Sequence, residues 1–223
     1  MAKVIIFGLK DLAELGHYYL TNDSDHEVVA FCVNEKYLPK EKQFRSLPIV
    51  SFEKVEQLYP KTEYSFFAPM STANMNTLRE KVYYDIKSKG YELISYISSK
   101  AVIATNTKIG DNCLILEGNT IHPFTKIGSN VVLFGNNFVG HHSEIKDHVT
   151  LSNDVAIPSH CTIGENSFLG VNSTIRDGVE VAKGTLVGMA AAITKNTEEW
   201  SIYMGNPAKK IGKNISKSFL KTS

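Results

Sequence analysis

The sequence predicts a small α/β unit followed by a parallel β-helix, and three observations carry that prediction. An aliphatic residue recurs every six positions from Ile103 to Ile193, through Ile109, Ile115, Ile121, Ile127, Leu133, Val139, Ile145, Leu151, Ile157, Ile163, Leu169, Ile175, Val181 and Val187, sixteen hexads without an exception. Two residues before each stands a second series, small or Val throughout, running from Ala101, Thr107 and Cys113 to Val179, Thr185 and Ala191. Ahead of residue 98 the pattern changes to short apolar runs alternating with helical periodicity.

From the N-terminus, KVIIFG, EVVAFCV, YSFFAPM and ELISYI read as strands, each rich in β-branched and aromatic residues. Leu12 to Leu20, SFEKVEQLY and a segment with Leu78, Val82 and Ile86 on one face read as the helices between them. Alternation of this kind predicts a parallel sheet with right-handed crossovers over residues 1–97. Ligands of such sheets bind at the carboxyl ends of the strands. The loops to watch are therefore Gly8 to Asp11, Val33 to Lys36 and Ala68 to Thr72. A dinucleotide-binding turn needs further glycines after the first. In G-L-K-D, Lys10 and Asp11 stand where those would be, which argues against a dinucleotide cofactor and leaves Lys10 to meet a phosphate through its ammonium group.

Over residues 98–212 both periodic series point inward, because side chains two apart on a strand face the same way. Strands this short at a period of six fit a triangular coil of three hexads, so residues 18 apart stack at the spacing of paired strands, about 4.8 Å. Sixteen hexads make about five coils. Gly110, Gly128, Gly140, Gly164, Gly170 and Gly188 follow inward aliphatics, where the chain is expected to turn. A β-sandwich predicts irregular strand spacing with hairpins, and an amphipathic helix predicts a period of 3.6; neither fits. Residues 213–223 are expected to form a short polar tail at the end of the prism.

Composition narrows the function classes. With 24 basic and 23 acidic side chains, a net charge of +1 gives no global field for gripping nucleic acid or an anionic membrane. No run approaches the roughly 18 apolar residues that span a bilayer, and charges break the opening MAKVIIFGLKDLAELG before a signal-peptide core develops. A cytoplasmic protein is expected. Cys32, Cys113 and Cys161 are odd in number and unrelated in spacing, so they are expected to be reduced and packed.

The hexads, the segment FLGVNSTIRDGVEVAKGTLVGMAAAITKN and the closing GNPAKKIG resemble the hexapeptide-repeat acyltransferases. With an α/β unit ahead of them, the chain looks like the sugar acyltransferases of bacterial surface-polysaccharide pathways: the sialic acid O-acetyltransferases and nucleotide-diphospho-amino-sugar N-acetyltransferases. That resemblance implies a left-handed coil, acetyl-CoA as donor, no metal, a nucleotide-linked amino sugar as acceptor, and a homotrimer with the CoA site between neighbouring subunits. The exterior aromatics Phe134, Phe138 and Phe168 are expected to be covered by another surface.

Acetyl transfer from a thioester needs a general base and a donor for the developing oxyanion. Histidine titrates near the working pH. His141, in NNFVGHHSEIKD, matches the family's catalytic histidine; the acidic follower usual there is replaced by His142, leaving Glu144, Asp147 or a neighbouring subunit to orient the base. His160 lies 18 beyond His142 and should stack on it, while His148 lies on another face, packing or solvated. The resemblance further implies that the Ser159 N–H faces the thioester carbonyl and that the pantetheine arm runs past Thr150, Val171 and Met189. Lys195, with Lys209 and Lys210, would meet the CoA phosphates. Gly8, Lys10 and Asp11, with Asn34 and Glu35 in place of the family's acidic pair, would hold the nucleotide sugar, and Asn136 would contact the acceptor near His141.

Sequence leaves N- and O-acylation open, N being preferred. Other readings are a metal hydratase built on three histidines, to which the β-helix would contribute His142 and His160 and a second subunit the third, a non-catalytic sugar-binding scaffold, and a transferase for a free amino acid such as serine. Against the hydratase, residue 146 is Lys where the second of two ligands five apart would stand. Against serine, an amino acid needs no separate cradle of about 95 residues.

Overall fold

The computed structural model describes residues 1–212, and the expected tail, 213–223, lies outside the described residues. In the α/β unit, strands β1 (Lys3–Phe7), β2 (Glu27–Val33), β3 (Gln43–Phe44), β4 (Leu47–Ser51) and β5 (Tyr64–Phe67) form one sheet in the order β3-β4-β2-β1-β5. All neighbours are parallel except the β3-β4 hairpin, which the sequence pattern did not reveal. Helices α1 (Asp11–Asn22), α2 (Val55–Leu58) and α3 (Thr77–Ser88) connect the strands.

Both faces of the sheet are buried, as parallel strands require. Ile5 and Phe7 face Val82 and Ile86 of α3, whereas Val4 and Ile6 join Leu20 of α1 and the β-helix residues Leu114 and Val132 in one continuous core. Leu78 is exposed, so the inner face of α3 runs through Arg79, Val82, Tyr83 and Ile86 instead. ELISYI does not become a further strand of this sheet. It gives a single bridge from Leu93 to Phe66, and then Tyr96–Ile97 pairs with Leu114–Ile115 of the next architecture. Ile97 lies six residues before Ile103, already in the phase of the hexads.

Sixteen two-residue strands follow at six-residue intervals, from Val102–Ile103 to Ala192–Ile193. Each pairs in parallel with the strand 18 residues away, as Thr120 does with Phe138, Lys126 with Glu144 and Val132 with Thr150. Three flat sheets result. The first face holds Leu114–Ile115 and Val132–Leu133, the second Thr120–Ile121 and Phe138–Val139, and the third Lys126–Ile127 and Glu144–Ile145. The aliphatic series and the apolar members of the small series close the interior as one core, with Cys113 and Cys161 packed inside it. Some polar members bond to one another internally: Asn137 donates to Asn119 Oδ1 at 3.1 Å, and the Val155 N–H donates to Asn137 Oδ1 at 2.9 Å, whereas the buried Thr107 and Ser173 hydroxyls find no partner among the described residues. The first face ends with Ile202–Met204 in parallel and then Lys209–Gly212 in antiparallel orientation.

The vertices have a third periodicity. Every sixth residue from Asn112 to Ala190 has a left-handed backbone: Asn112, Gly118, Phe124, Asn130, Asn136, His142, His148, Asp154, His160, Asn166, Asn172, Gly178, Gly184 and Ala190, with φ between 53° and 73°. Asn, Asp, His and Gly tolerate this region best, and they fill all but two of these positions. The glycines expected to turn the chain do something else. They lie outside the set of left-handed glycines, and a Cβ on Gly140 would come within 2.6 Å of the Pro158 carbonyl carbon and 2.7 Å of the Ser159 nitrogen in the next coil. Close approach of successive coils, not φ, demands glycine there.

The α/β unit packs on the first face. Phe134 joins the shared core and Phe168 packs beside Met75 and Leu186, so both are covered by their own chain rather than by another subunit. Phe138, on the second face, is exposed. Arg79 fastens α3 to the β-helix: 1% exposed, it donates to the carbonyls of Met70, His148 and Val149 and to Thr150 Oγ1 at 3.0 to 3.3 Å. Burial pulls its pKa down to about 9, which still leaves the guanidinium charged at neutral pH.

Candidate active site

The vertex between the second and third faces carries the histidines. Val139 points inward, Gly140 lets the next coil approach, His141 emerges into solvent, and His142 turns the chain at φ 57°. One coil on, Ser159 and His160 repeat the geometry, with His160 at φ 58°. Backbone bonds fix the columns: the His142 N–H donates to the Pro123 carbonyl at 3.3 Å and the His160 N–H to the His141 carbonyl at 3.2 Å. Ser143, inside, ties the same coils by donating to the Pro158 carbonyl and accepting from the Cys161 N–H.

On this frame the rings of Phe124, His142 and His160 climb the vertex, with centroids 4.7 and 5.2 Å apart and the two imidazoles 20° from parallel. His141 stands edge-on to both imidazoles, and its Nδ1 lies 3.0 Å from His142 Nδ1. Its partner is therefore His142. Asp147 is committed elsewhere, accepting from the Ser129 N–H at 2.7 Å, and Glu144 lies on the third face.

Two other expectations change. The Ser159 N–H donates to Asp177 Oδ1 at 2.9 Å and so is already engaged. Thr150 has no exposed surface; its hydroxyl is locked between Asn76 Oδ1 and Arg79 Nη1 beneath α3, which removes it from any cofactor path. Asn136 is exposed but turns the vertex between the first and second faces, one whole side of the triangle from His142. Val171 and Met189, 44% and 79% exposed, share that vertex with it. Ser159, Asp177 and Lys195 share a column with His141, each one coil further on, and Lys195 is exposed. Lys210 is paired with Glu198 at 2.5 Å. His141, Ser159 and Lys195 thus fall on one vertex of the prism and Asn136, Val171 and Met189 on another.

His148 is a packing residue. It is 3% exposed, its Nδ1 is 2.9 Å from Asn130 Nδ2, and burial lowers its pKa.

At the carboxyl edge of the α/β sheet, Gly8 takes φ 117° and donates its N–H to the Cys32 carbonyl, while Lys10 caps α1 ahead of exposed Asp11. Asn34 and Glu35 meet a carboxylate the sequence pattern missed. Glu53 accepts from the Glu35 N–H at 2.8 Å and from Ser51 Oγ at 2.7 Å, and lies 3.5 Å from Asn34 Nδ2. Burial pushes the Glu53 carboxyl up, but these hydrogen bonds outweigh it and hold the pKa below the usual value. No sequence signal joins residues 34 and 53; only the pairing of β2 with β4 does. His160 and Asp177, by contrast, follow from counting by 18.

Residues 161–195 match the family model described as the hexapeptide repeat of succinyl-transferase. No curated protein matches the chain. Among solved structures, perosamine N-acetyltransferase from Caulobacter crescentus, in complex with CoA and GDP-perosamine, superposes with a TM-score of 0.83 at 20% identity, over 96% of this chain and 98% of that one. The acetyltransferase domain of PglB from Neisseria gonorrhoeae, in complex with acetyl coenzyme A, gives 0.80 at 15% identity, over 94% and 98%. WeeI from Acinetobacter baumannii gives 0.72 at 19%, over 95% and 100%. The chain has their fold. It is a left-handed parallel β-helix carrying an α/β unit on one face. In this β-helix the matched repeat begins just after His160 and spans about two coils. Two of the Caulobacter structures are variants in which a histidine is replaced, by asparagine in one and alanine in the other.

Proposed function

We propose that the protein transfers an acetyl group from acetyl-CoA to the amine of a nucleotide-linked amino sugar, with His141 as general base. The observation that carries this reading is an exposed His141 on a rigid β-helix vertex with Nδ1 held by His142. In the tautomer that donates the Nδ1 proton to His142, Nε2 keeps the lone pair a base needs. The amine attacks the thioester carbonyl carbon while Nε2 takes its proton. As the tetrahedral intermediate collapses, the C–S bond breaks and the proton passes to the departing sulfur. A complex of the similar Caulobacter enzyme with CoA and GDP-perosamine supports the choice of donor and acceptor class.

The nucleotide would lie across Gly8, Lys10 and Asp11 and against Asn34, Glu35 and Glu53, at the strand ends where such sheets take ligands. The α/β unit packs on the first face, however, and His141 lies on the vertex opposite that face. A homotrimer resolves the separation by bringing the His141, Ser159 and Lys195 column of one subunit against the Val171 and Met189 vertex of the next. Lys195, about 14 Å up the axis from His141 at the strand spacing, suits a CoA phosphate. Free, buried cysteines and a CoA donor fit the cytoplasm.

The test is thiol release from acetyl-CoA against a panel of nucleotide-linked amino sugars, in the presence of a chelator. One member should turn over, and His141→Ala should lower kcat by a hundredfold or more, as loss of a general base does. Turnover that survives the substitution would overturn the role of His141.

A further inference from the structure

We propose that His141, His142 and His160 of a single chain form a site for a divalent transition ion of the zinc type, whose occupancy withdraws His141 from acetyl transfer. The second clause rests on the reading of His141 as base; the site itself does not.

One ring nitrogen from each of the three comes within 4.8 Å of the other two, and all three side chains are exposed. Imidazole nitrogens at about 2.0–2.1 Å from zinc in a tetrahedral array lie about 3.3 Å from one another. The Nδ1 atoms of His141 and His142 are already 3.0 Å apart, so rotation of exposed rings closes the set while the backbone stays fixed. The backbone is rigid where it must be. Coil-to-coil bonds hold residues 142 and 160, and both sit in the left-handed conformation that repeats along the vertex. A set made only of imidazoles suits zinc, copper or nickel and is wrong for magnesium or calcium, which take oxygen. Three protein ligands leave a fourth position open to solvent, so an ion can enter and leave. The third ligand comes from the same chain, with no need of a second subunit.

Cobalt(II) is the probe, because its visible absorption reports coordination geometry. Titrated into chelator-treated protein, it should saturate at one ion per chain and be displaced by zinc. His142→Asn and His160→Asn keep a residue that tolerates φ near 57°, so the vertex folds while losing a ligand. Each, like His141→Ala, should weaken cobalt binding tenfold or more. One equivalent of zinc should lower wild-type turnover at least tenfold, reversibly with EDTA, and inhibit His160→Asn at least tenfold less. Cobalt binding unchanged by His160→Asn, or no saturation at one ion per chain, would overturn the site even if acetyl transfer depends on His141. Histidine-dependent cobalt binding in a protein that transfers no acetyl group would uphold the site and remove only its inhibitory consequence.

Discussion

His142 meets His141 at the nitrogen where a carboxylate would best support an imidazolium, and it offers a second imidazole instead. In the proposed reaction this would keep the orientation of His141 and forgo the charge stabilisation a carboxylate gives a protonated base. Asp177 would act on the other half of the proposed reaction. Its carboxylate holds the Ser159 N–H, so an oxyanion reaches that donor only after Asp177 swings aside. Removing one competing hydrogen bond is worth about 0.5–1.5 kcal/mol. Asp177→Ala should therefore raise kcat/KM for acetyl-CoA by up to about tenfold in steady-state assays; a fall would mean that Asp177 assists the reaction. Counting by 18 from His141 reaches Ser159, which the sequence reading named, and then Asp177, which it passed over although the same count gives its column. Glu53 was not legible in the sequence, since its place beside Asn34 depends on how β2 meets β4.

At the level of elements, α3 and the first face are held by a cation with no carboxylate among its described hydrogen-bond partners. Arg79→Ala would empty a buried site and strip the His148 carbonyl of its charged donor, at about 1–3 kcal/mol for a stranded buried acceptor, while Thr150 keeps Asn76 and the Val149 carbonyl keeps the Val132 N–H. Urea unfolding should register a loss of about 3 kcal/mol or more, with Arg79→Met giving back the packing but not the hydrogen bonds. His148 packs between Tyr83 and Tyr84 of the same helix, with Glu80, Asp147, Glu165 and Arg79 around it. Desolvation lowers its pKa against the pull of Glu80, so the unfolded chain takes up the proton more readily. Its contribution is complete above about pH 6.5 and is lost as pH falls toward the folded-state value. Thermal melts should show Tm dropping below pH 6.5, less steeply in His148→Asn; His17 and His26, also lowered by burial, keep some of the slope. None of this docking was readable beforehand. Periodicity says which residues face inward, but Thr150, Phe134 and Phe168 belong to the outer set, and only the resting place of α3 and the sheet decides which outer face is dry.

For the whole molecule, His141 with Lys195 and Val171 with Met189 stand on different vertices of one prism, so the proposed activity should depend on assembly. Refolding a mixture of His141→Ala and Met189→Arg chains, each inactive alone, should restore part of the turnover, because some interfaces then pair an intact His141 with an intact Met189. Failure of the mixture to exceed either parent would argue for a site within one chain. The prism itself was legible almost to the residue, because a repeat of six leaves its mark whatever packs around it. Its turning residues were not, since the left-handed position is filled by Asn, Asp, His and Gly alike and no single residue type flags it. The end of the prism is a different matter. A parallel ladder stopping at Leu186–Val187 would offer an unpaired edge on which the first coil of another molecule could continue in register, and nothing in the repeat forbids indefinite growth. Lys209–Gly212 turns back on Ile202–Met204 and pairs in the opposite sense, with two lysines at the rim. That reversal closes the ladder of the first face to an in-register parallel continuation by another molecule.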